Sequence, residues 1–327
     1  MSKINELNAK GHDVKIDTLA AFADSIINRV ARDEMPWQVG QTVNRMPVTL
    51  SGKPISNVNF LSLVGAGEDH RWGRFDEFKS LGAFVKRDMK STLGVFWRKM
   101  KPTSTQAISA EDELDTAKPS VAIEPVKSIR RLMSVRYFNM AQTDIESADA
   151  PEIDFSESMM HLEDIALNAG VTLVKKSQNI PDTLTYEGNI IYADADKITQ
   201  ESVGLAVVGF VDWVMDDSKP FNTISTDEVR SQLVRAVAVS MLCAEYGVPV
   251  PDKIQIEMAA YKPMFVDMMK SQKDQVFKVA KDAWEIRQFI QQFSPSLESS
   301  ATADQDSAGD GVSSSVPNRQ PNSLYGG

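Results

Sequence analysis

Aromatic and cationic side chains are interleaved through the first half of the sequence: Trp37, Arg45, Asn57, Asn59, Phe60, Arg71, Trp72, Arg74, Phe75, Phe78, Lys86, Arg87, Lys90, Phe96, Trp97, Arg98, Lys99, Arg136, Tyr137 and Phe138. Unpaired nucleic acid needs both types, because cations neutralise phosphates and ring faces stack on unpaired bases at roughly 1–3 kcal/mol per base. Duplex readers rely less on exposed rings. The competing account is that Phe75, Phe78 and Phe96 fill a core and that the cations around them are merely solvated. Trp72, Trp97 and Tyr137, flanked by polar residues, are the better stacking candidates.

Common enzyme signatures are missing. There is no phosphate-cradling GxxxxGK[ST], and Gly65-Ala66-Gly67-Glu68 is a GxG fragment that reads as a turn. Cys243 is the lone cysteine, which excludes an internal disulfide framework and a cysteine-based zinc site; its apolar surroundings mark it as a small core residue. His161-Leu162-Glu163-Asp164 lacks the i, i+4 spacing of helical metal ligands, and a surface histidine is the expectation.

Charge divides the chain. The 327 residues carry 35 Lys+Arg and 45 Asp+Glu, a net charge of -10, yet residues 1–143 sum to +5 and residues 144–327 to -15. Within Arg71–Lys101 nine basic residues face three acidic ones, and Lys127, Arg130, Arg131 and Arg136 form a second basic cluster. A local positive field attracts a polyanion even on an acidic protein. The apolar fraction, 42%, suits ordinary cores, and the length suggests two domains. Val203–Met215 is too short to span a bilayer and is interrupted by Asp212. The first residues, MSKINELNAK, lack the apolar core of a signal peptide, so the cytoplasm is the expected compartment.

The elements that must position these groups follow from periodicity. Ile16, Leu19, Ala20, Ala23, Ile26, Ile27 and Val30 make an amphipathic helix over 16–32. Gly94–Met100 and Arg131–Met140 read as strands, and the acidic stretch between Pro102 and Pro125 as a mobile loop. A helix around Met159–Ala166 precedes VTLVKK and a hairpin of DTLTYEG with NIIYAD. Apolar helices follow at Ser202–Met215 and Thr226–Tyr246, the second stopped by Gly247 and Pro249, and another at Asp274–Phe293. The Ser-, Asp- and Gly-rich residues 294–327 read as a disordered acidic tail.

Several short motifs in one order resemble the N-terminal single-stranded-DNA-binding domain of the ArdC-type antirestriction proteins. They are Met35-Pro36-Trp37, Ser51-Gly52-Lys53-Pro54, Asn57-Val58-Asn59-Phe60-Leu61, Arg71-Trp72 with Phe75, Leu81-Gly82, Val85-Lys86, Val95-Phe96-Trp97, and Tyr137-Phe138-Asn139 with Gln142. The resemblance covers about residues 15–143. Departures are Arg74 and Glu77 where the family has Thr and Gln, and Arg87-Asp88-Met89-Lys90 in place of its Lys-Gly-Glu-Lys turn.

Downstream, the family often carries a zincin-like metallopeptidase domain, and the Tyr186/Tyr192 hairpin, a helix ending in Trp213 and a helix closing with Leu242–Val248 look like it. Zinc hydrolysis there needs His-Glu-x-x-His on one helical turn and a third acidic ligand. The resemblance places those positions at Val208, Gly209, Asp212 and Ala236, so the implied domain is catalytically dead. Asp212 is then expected in a hydrogen-bonded structural role.

Together these observations predict an α+β protein: a mixed single-stranded-DNA-binding domain over 1–143, a mainly helical degenerate metallopeptidase-like domain over 150–293, and the tail. The expected interface comprises Trp37, Arg45, Asn57, Asn59, Arg71, Trp72, Arg74, Lys86, Arg87, Lys90, Trp97, Arg98, Lys99, Arg136 and Tyr137. No catalytic residue, metal or cofactor is expected. The implied partner is single-stranded DNA, in a phage or plasmid setting of DNA protection, replication or transcription, with a polymerase or replication protein or a second copy of the chain as further candidates. The alternative is a protein-interaction module acting on a host or phage enzyme through the acidic half.

Overall fold

A computed structural model describes residues 18–35, 37, 45–55, 58–100, 129–145, 153–176, 185–194, 198–216 and 227–295. Helix α1 (18–31) buries Phe22, Ala23, Ile26, Ile27 and Val30, the stripe its spacing predicts. Three strands and two short helices follow: β1 (Val48–Thr49), α2 (Val58–Leu63), β2 (Arg71–Gly73), α3 (Phe75–Ser80) and β3 (Thr92–Met100). Strand β4 (Ile129–Asn139) completes a sheet of order β1-β2-β4-β3. Its largest component is the antiparallel β3–β4 ribbon, paired from Thr92↔Tyr137 to Met100↔Ile129. The buried guanidinium of Arg29 closes the end of α2, donating to the carbonyls of Leu61 (2.6 Å) and Val64 (2.7 Å) that the helix leaves unpaired. Burial brings the Arg29 pKa down to about 10.

The second half runs α4 (Phe155–Ala169), β5 (Thr172–Lys176), β6 (Tyr186–Glu187), β7 (Ile190–Asp194), α5 (Gln200–Met215), α6 (Glu228–Tyr246), α7 (Asp252–Ser271) and α8 (Gln275–Gln291). Its small sheet has the order β5-β7-β6. Helix boundaries have local causes. Asp154 and Asp227 cap α4 and α6, each accepting from two backbone N–H groups, and Gly170 and Gly247 close them in the left-handed conformation (φ 69° and 63°). Helix α7 escapes the sequence reading because Pro251 and Pro263 look like helix breakers. In the structure Pro251 precedes the first turn, where its missing N–H costs nothing, and Pro263 lies inside the helix.

The two halves share one hydrophobic core. The ring of Phe22 on α1 lies 5.6 Å from that of Phe277 on α8, Met46 donates its N–H to the carbonyl of Ala244 at 2.8 Å, and Lys273 pairs with Asp24 at 2.7 Å. The architecture is α+β, as expected. The predicted acidic loop at 102–125 and nearly all of the predicted tail, 296–327, lie outside the described residues. No described helix is long and apolar enough to cross a membrane.

Candidate nucleic-acid interface

The interface residues predicted from sequence separate into three groups. The first belongs to the interior. Trp37 lies in the main core and Trp72, 2% exposed, packs on Ile55, Leu63 and Tyr137, so neither ring can receive a base. Both assignments as stacking platforms are corrected. A tryptophan at the start of a strand is flanked by polar residues whichever face it presents, and here β2 lies between β1 and β4 with its Trp72 face covered. Asn59 is also structural. Its amide donates to the Val95 carbonyl (2.7 Å) and accepts from the Val95 N–H (2.8 Å), satisfying backbone groups on the free edge of β3. Replacing Asn59 by Ala should cost about 1–3 kcal/mol in a denaturant titration, because the partly buried Val95 groups lose their partner.

A second group is cationic but neutralised. Arg71 grips Asp69 with both Nε (3.0 Å) and Nη2 (2.6 Å), and the same carboxylate accepts the Arg71 N–H at 2.7 Å. This hydrogen bonding raises the Arg71 pKa further. Arg74 bonds Glu77 (3.1 Å) and Asp76 (3.3 Å) while Glu77 accepts the Arg74 N–H, fastening the start of α3. Arg45 lies away from the ribbon, beside His70 and His161 in a cavity of about 510 Å³ between the halves. Asn57 lies outside the described residues.

The third group remains available. Trp97 is 52% exposed and its neighbour Phe96 45% exposed, near the distal end of the β3–β4 ribbon. Arg98, Lys99 and Arg136 are exposed on the same ribbon, and Tyr137 is half-buried. Register adds two cations: Arg98 stands directly opposite Arg131, and Lys99 opposite Arg130. Residues so paired share a face of the ladder with Cβ atoms about 5 Å apart, and like charges there repel. No carboxylate among the described residues pairs with any of these four.

Lys86, Arg87 and Lys90 form a separate exposed turn held to the far end of β4. The Lys86 N–H and Nζ donate to the carbonyls of Gln142 and Ala141, and Gln142 Nε2 donates to the Lys90 carbonyl. Asp88 occupies the position where the related turn has glycine and itself adopts φ 66°, so the left-handed turn survives the loss of glycine.

Phe75 and Phe96, left out of the expected interface by the sequence reading, are 55% and 45% exposed, whereas Phe78 is fully buried and fills the core. Phe75 meets Phe138 edge-on at 6.3 Å, beside the C-terminal end of β4. The i, i+3 spacing of Phe75 and Phe78 on one short helix could not say which of the two faces the protein.

In the second half, Val208 and Ala236 are fully buried without a donor atom. A Cβ on Gly209 would fall 2.5 Å from Ile191 Cγ2 and 2.6 Å from the Thr185 carbonyl oxygen. Asp212 accepts from Arg235 Nε (2.6 Å), Arg235 Nη2 (3.0 Å) and the Thr185 hydroxyl (2.9 Å). Arg235 also binds Glu257 through Nη1 at 2.6 Å. Beside them the Tyr186 hydroxyl donates to Asp216 (2.9 Å), and burial with this bond pushes the Tyr186 pKa up to about 12. Cys243 is fully buried and its thiol is pushed well above its ordinary range, the state of a core residue.

Comparison with known proteins agrees with this architecture. Residues 17–128 match the model of the N-terminal domain of anti-restriction factor ArdC. The fold resembles the crystal structure of the antirestriction ArdC protein from plasmid R388 in its metal-free form, with a TM-score of 0.58 at 19% identity over 84% of this chain and 97% of that one. The Mn(II)-bound structure of the same protein matches with a TM-score of 0.58 at 18% identity, over 85% and 98%. No curated protein matches the chain. Residues 17–128 thus carry a domain of the ArdC N-terminal type, and the chain as a whole shares the fold of the R388 ArdC protein.

Proposed function

We propose that this is a non-enzymatic protein that binds single-stranded DNA, largely without sequence preference, through the β3–β4 ribbon. The observation that carries this reading is the pairing of Arg98 with Arg131 and of Lys99 with Arg130 beside the exposed rings of Phe96 and Trp97. One cation pair stands on each face of the ribbon, Arg98–Arg131 on the side of Phe96 and Lys99–Arg130 on the side of Trp97; each opposed pair costs folding energy that a phosphate backbone offsets, and the ring beside it offers a face that unpaired bases can use. Arg136 and Tyr137 stand further along β4, one on each face, and Lys86, Arg87 and Lys90 form a separate basic turn beyond its C-terminal end. The contacts expected are to backbone and ring faces, so affinity falls steeply with salt and depends little on base order. A role in protecting, replicating or transcribing the DNA of a plasmid or phage uses this one chemistry.

The R388 relative is recorded with Mn(II) bound. The residues here do not fit such an ion. Val208, Gly209 and Ala236 offer no donor, no side chain fits at Gly209, and the Asp212 carboxylate is taken by Arg235 and Thr185. This supports the reading without hydrolysis.

A specific observation favours a second reading, docking of a partner protein on the acidic half. On α4, Met160 and Leu167 are 63% and 78% exposed, two turns apart on one face beside Glu163 and Asp164. Fluorescence anisotropy of labelled single-stranded and duplex oligonucleotides at several salt concentrations tests the primary reading. Single-strand binding with a steep salt slope, at least tenfold weaker on duplex, is expected. Absence of binding at low salt would overturn it and leave the α4 face as the functional surface.

A further inference from the structure

We infer that Arg235 is a built-in replacement for a metal ion: its guanidinium ties α6 to α5, the two helices that carry the positions the resemblance gives to ligands, and adds α7 through Glu257. The inference rests on the metal-free reading above. Three observations carry it. Asp212 stands on α5 at the position the resemblance gives to a ligand, and it still acts as a ligand, presenting both oxygens to a positive centre. That centre is supplied by α6 from the residue adjacent in sequence to Ala236, so the helix expected to carry a third ligand contributes a cation to Asp212 instead. Glu257 on α7 completes the set from the opposite side at 2.6 Å, and the Thr185 hydroxyl closes Asp212 Oδ2.

The cluster is largely removed from water, with the Arg235 and Asp212 side chains 13% and 19% exposed. Burial alone would lower the Arg235 pKa, but hydrogen bonding and attraction from Asp212 and Glu257 outweigh it and hold the guanidinium charged at every ordinary pH. One delocalised charge with donors on three nitrogens can bridge two carboxylates from different helices, which an ammonium cannot do with the same geometry. Breaking a buried pair by removing one partner leaves an uncompensated charge and is strongly destabilising.

Thermal unfolding of the full chain, with excess EDTA and with excess MnCl2, tests the inference. The wild-type midpoint should move with neither addition. Arg235→Met, which keeps the volume and removes the charge, should lower it by about 8 °C or more. The double variant Arg235→Met with Asp212→Leu should be less affected than Arg235→Met alone, because both charges are gone. If Arg235→Met does not fold, Arg235→Lys takes its place and should be lowered by several degrees despite its charge. A midpoint for Arg235→Met or Arg235→Lys within about 2 °C of wild type would overturn the inference and leave the metal-free reading standing. A clear gain in the wild type with MnCl2 would overturn both.

Discussion

Replacing Phe96 by alanine together with Arg98 and Arg131, which share its face of the ribbon, by glutamine should weaken single-strand binding by about 100-fold or more. Loss of one base-stacking ring is worth roughly 1–3 kcal/mol, and each tenfold in affinity is about 1.4 kcal/mol, so the ring alone can account for one to two decades. The two arginines add a distinct signature. Each phosphate contact removed lowers the steepness of the logarithmic salt dependence by about 0.7 on single strands, so the variant's slope should be shallower by about 1.4. Stability should hardly change, because Phe96 is 45% exposed and glutamine relieves the repulsion between opposed arginines. Anisotropy titration at several salt concentrations, with a thermal melt as control, reads both quantities.

The contrast is Trp72→Ala, which removes a fully buried ring and should cost about 3–5 kcal/mol of folding free energy; any loss of binding there reports unfolding. Wild-type affinity and slope in the triple variant would remove the ribbon from the interface. Under the reading in which α4 docks a protein, the triple variant should retain its biological activity, so the same protein discriminates the two.

Placing a glutamate at Gly209, where the resemblance puts the acid of a metallopeptidase motif, should destabilise the protein by about 3 kcal/mol or more and confer no hydrolysis. The reason is steric before it is chemical. Helix α5 lies so close to the small sheet that even a Cβ at 209 meets Ile191 on β7 at 2.5 Å and the Thr185 backbone at 2.6 Å. Backbone on one side cannot yield without opening the packing of α5 on β7, and overpacking of this kind costs roughly 1–3 kcal/mol for small additions. A carboxylate adds an unpaired buried charge near Asp212. Gly209→Ala carries the steric part alone and should cost about 1–3 kcal/mol, so a denaturant titration of the two variants separates packing from charge. A Gly209→Glu protein as stable as wild type would show that the glycine is not required by packing. Restoring Val208→His and Asp212→His as well should worsen the defect, since the first is fully buried and the second removes the partner of Arg235.

The helices α1, α5, α6 and α8 and the strands β3 and β4 were legible in the sequence because their apolar periodicity is a local property of the chain. The segregation of charge was legible as a matter of residue type alone, and the absence of ligand residues at Val208, Gly209 and Ala236 once the resemblance had marked those positions. Tertiary structure decided which of these residues are free to act. Trp72 and Trp97 carry similar polar flanks, yet β2 is central and its tryptophan covered, while the outer part of β3 extends beyond its cover. Arg71 is quenched by Asp69 two positions away, a pair the sequence places side by side without revealing that the carboxylate is buried to receive it. The opposed pairs Arg98 with Arg131 and Lys99 with Arg130, and the bridge from Arg235 to Asp212 and Glu257, join residues more than twenty positions apart. Periodicity reports the face on which a side chain stands. Whether that face is covered, and what charge lies across from it, depends on non-local packing that comes into being only when the chain closes on itself.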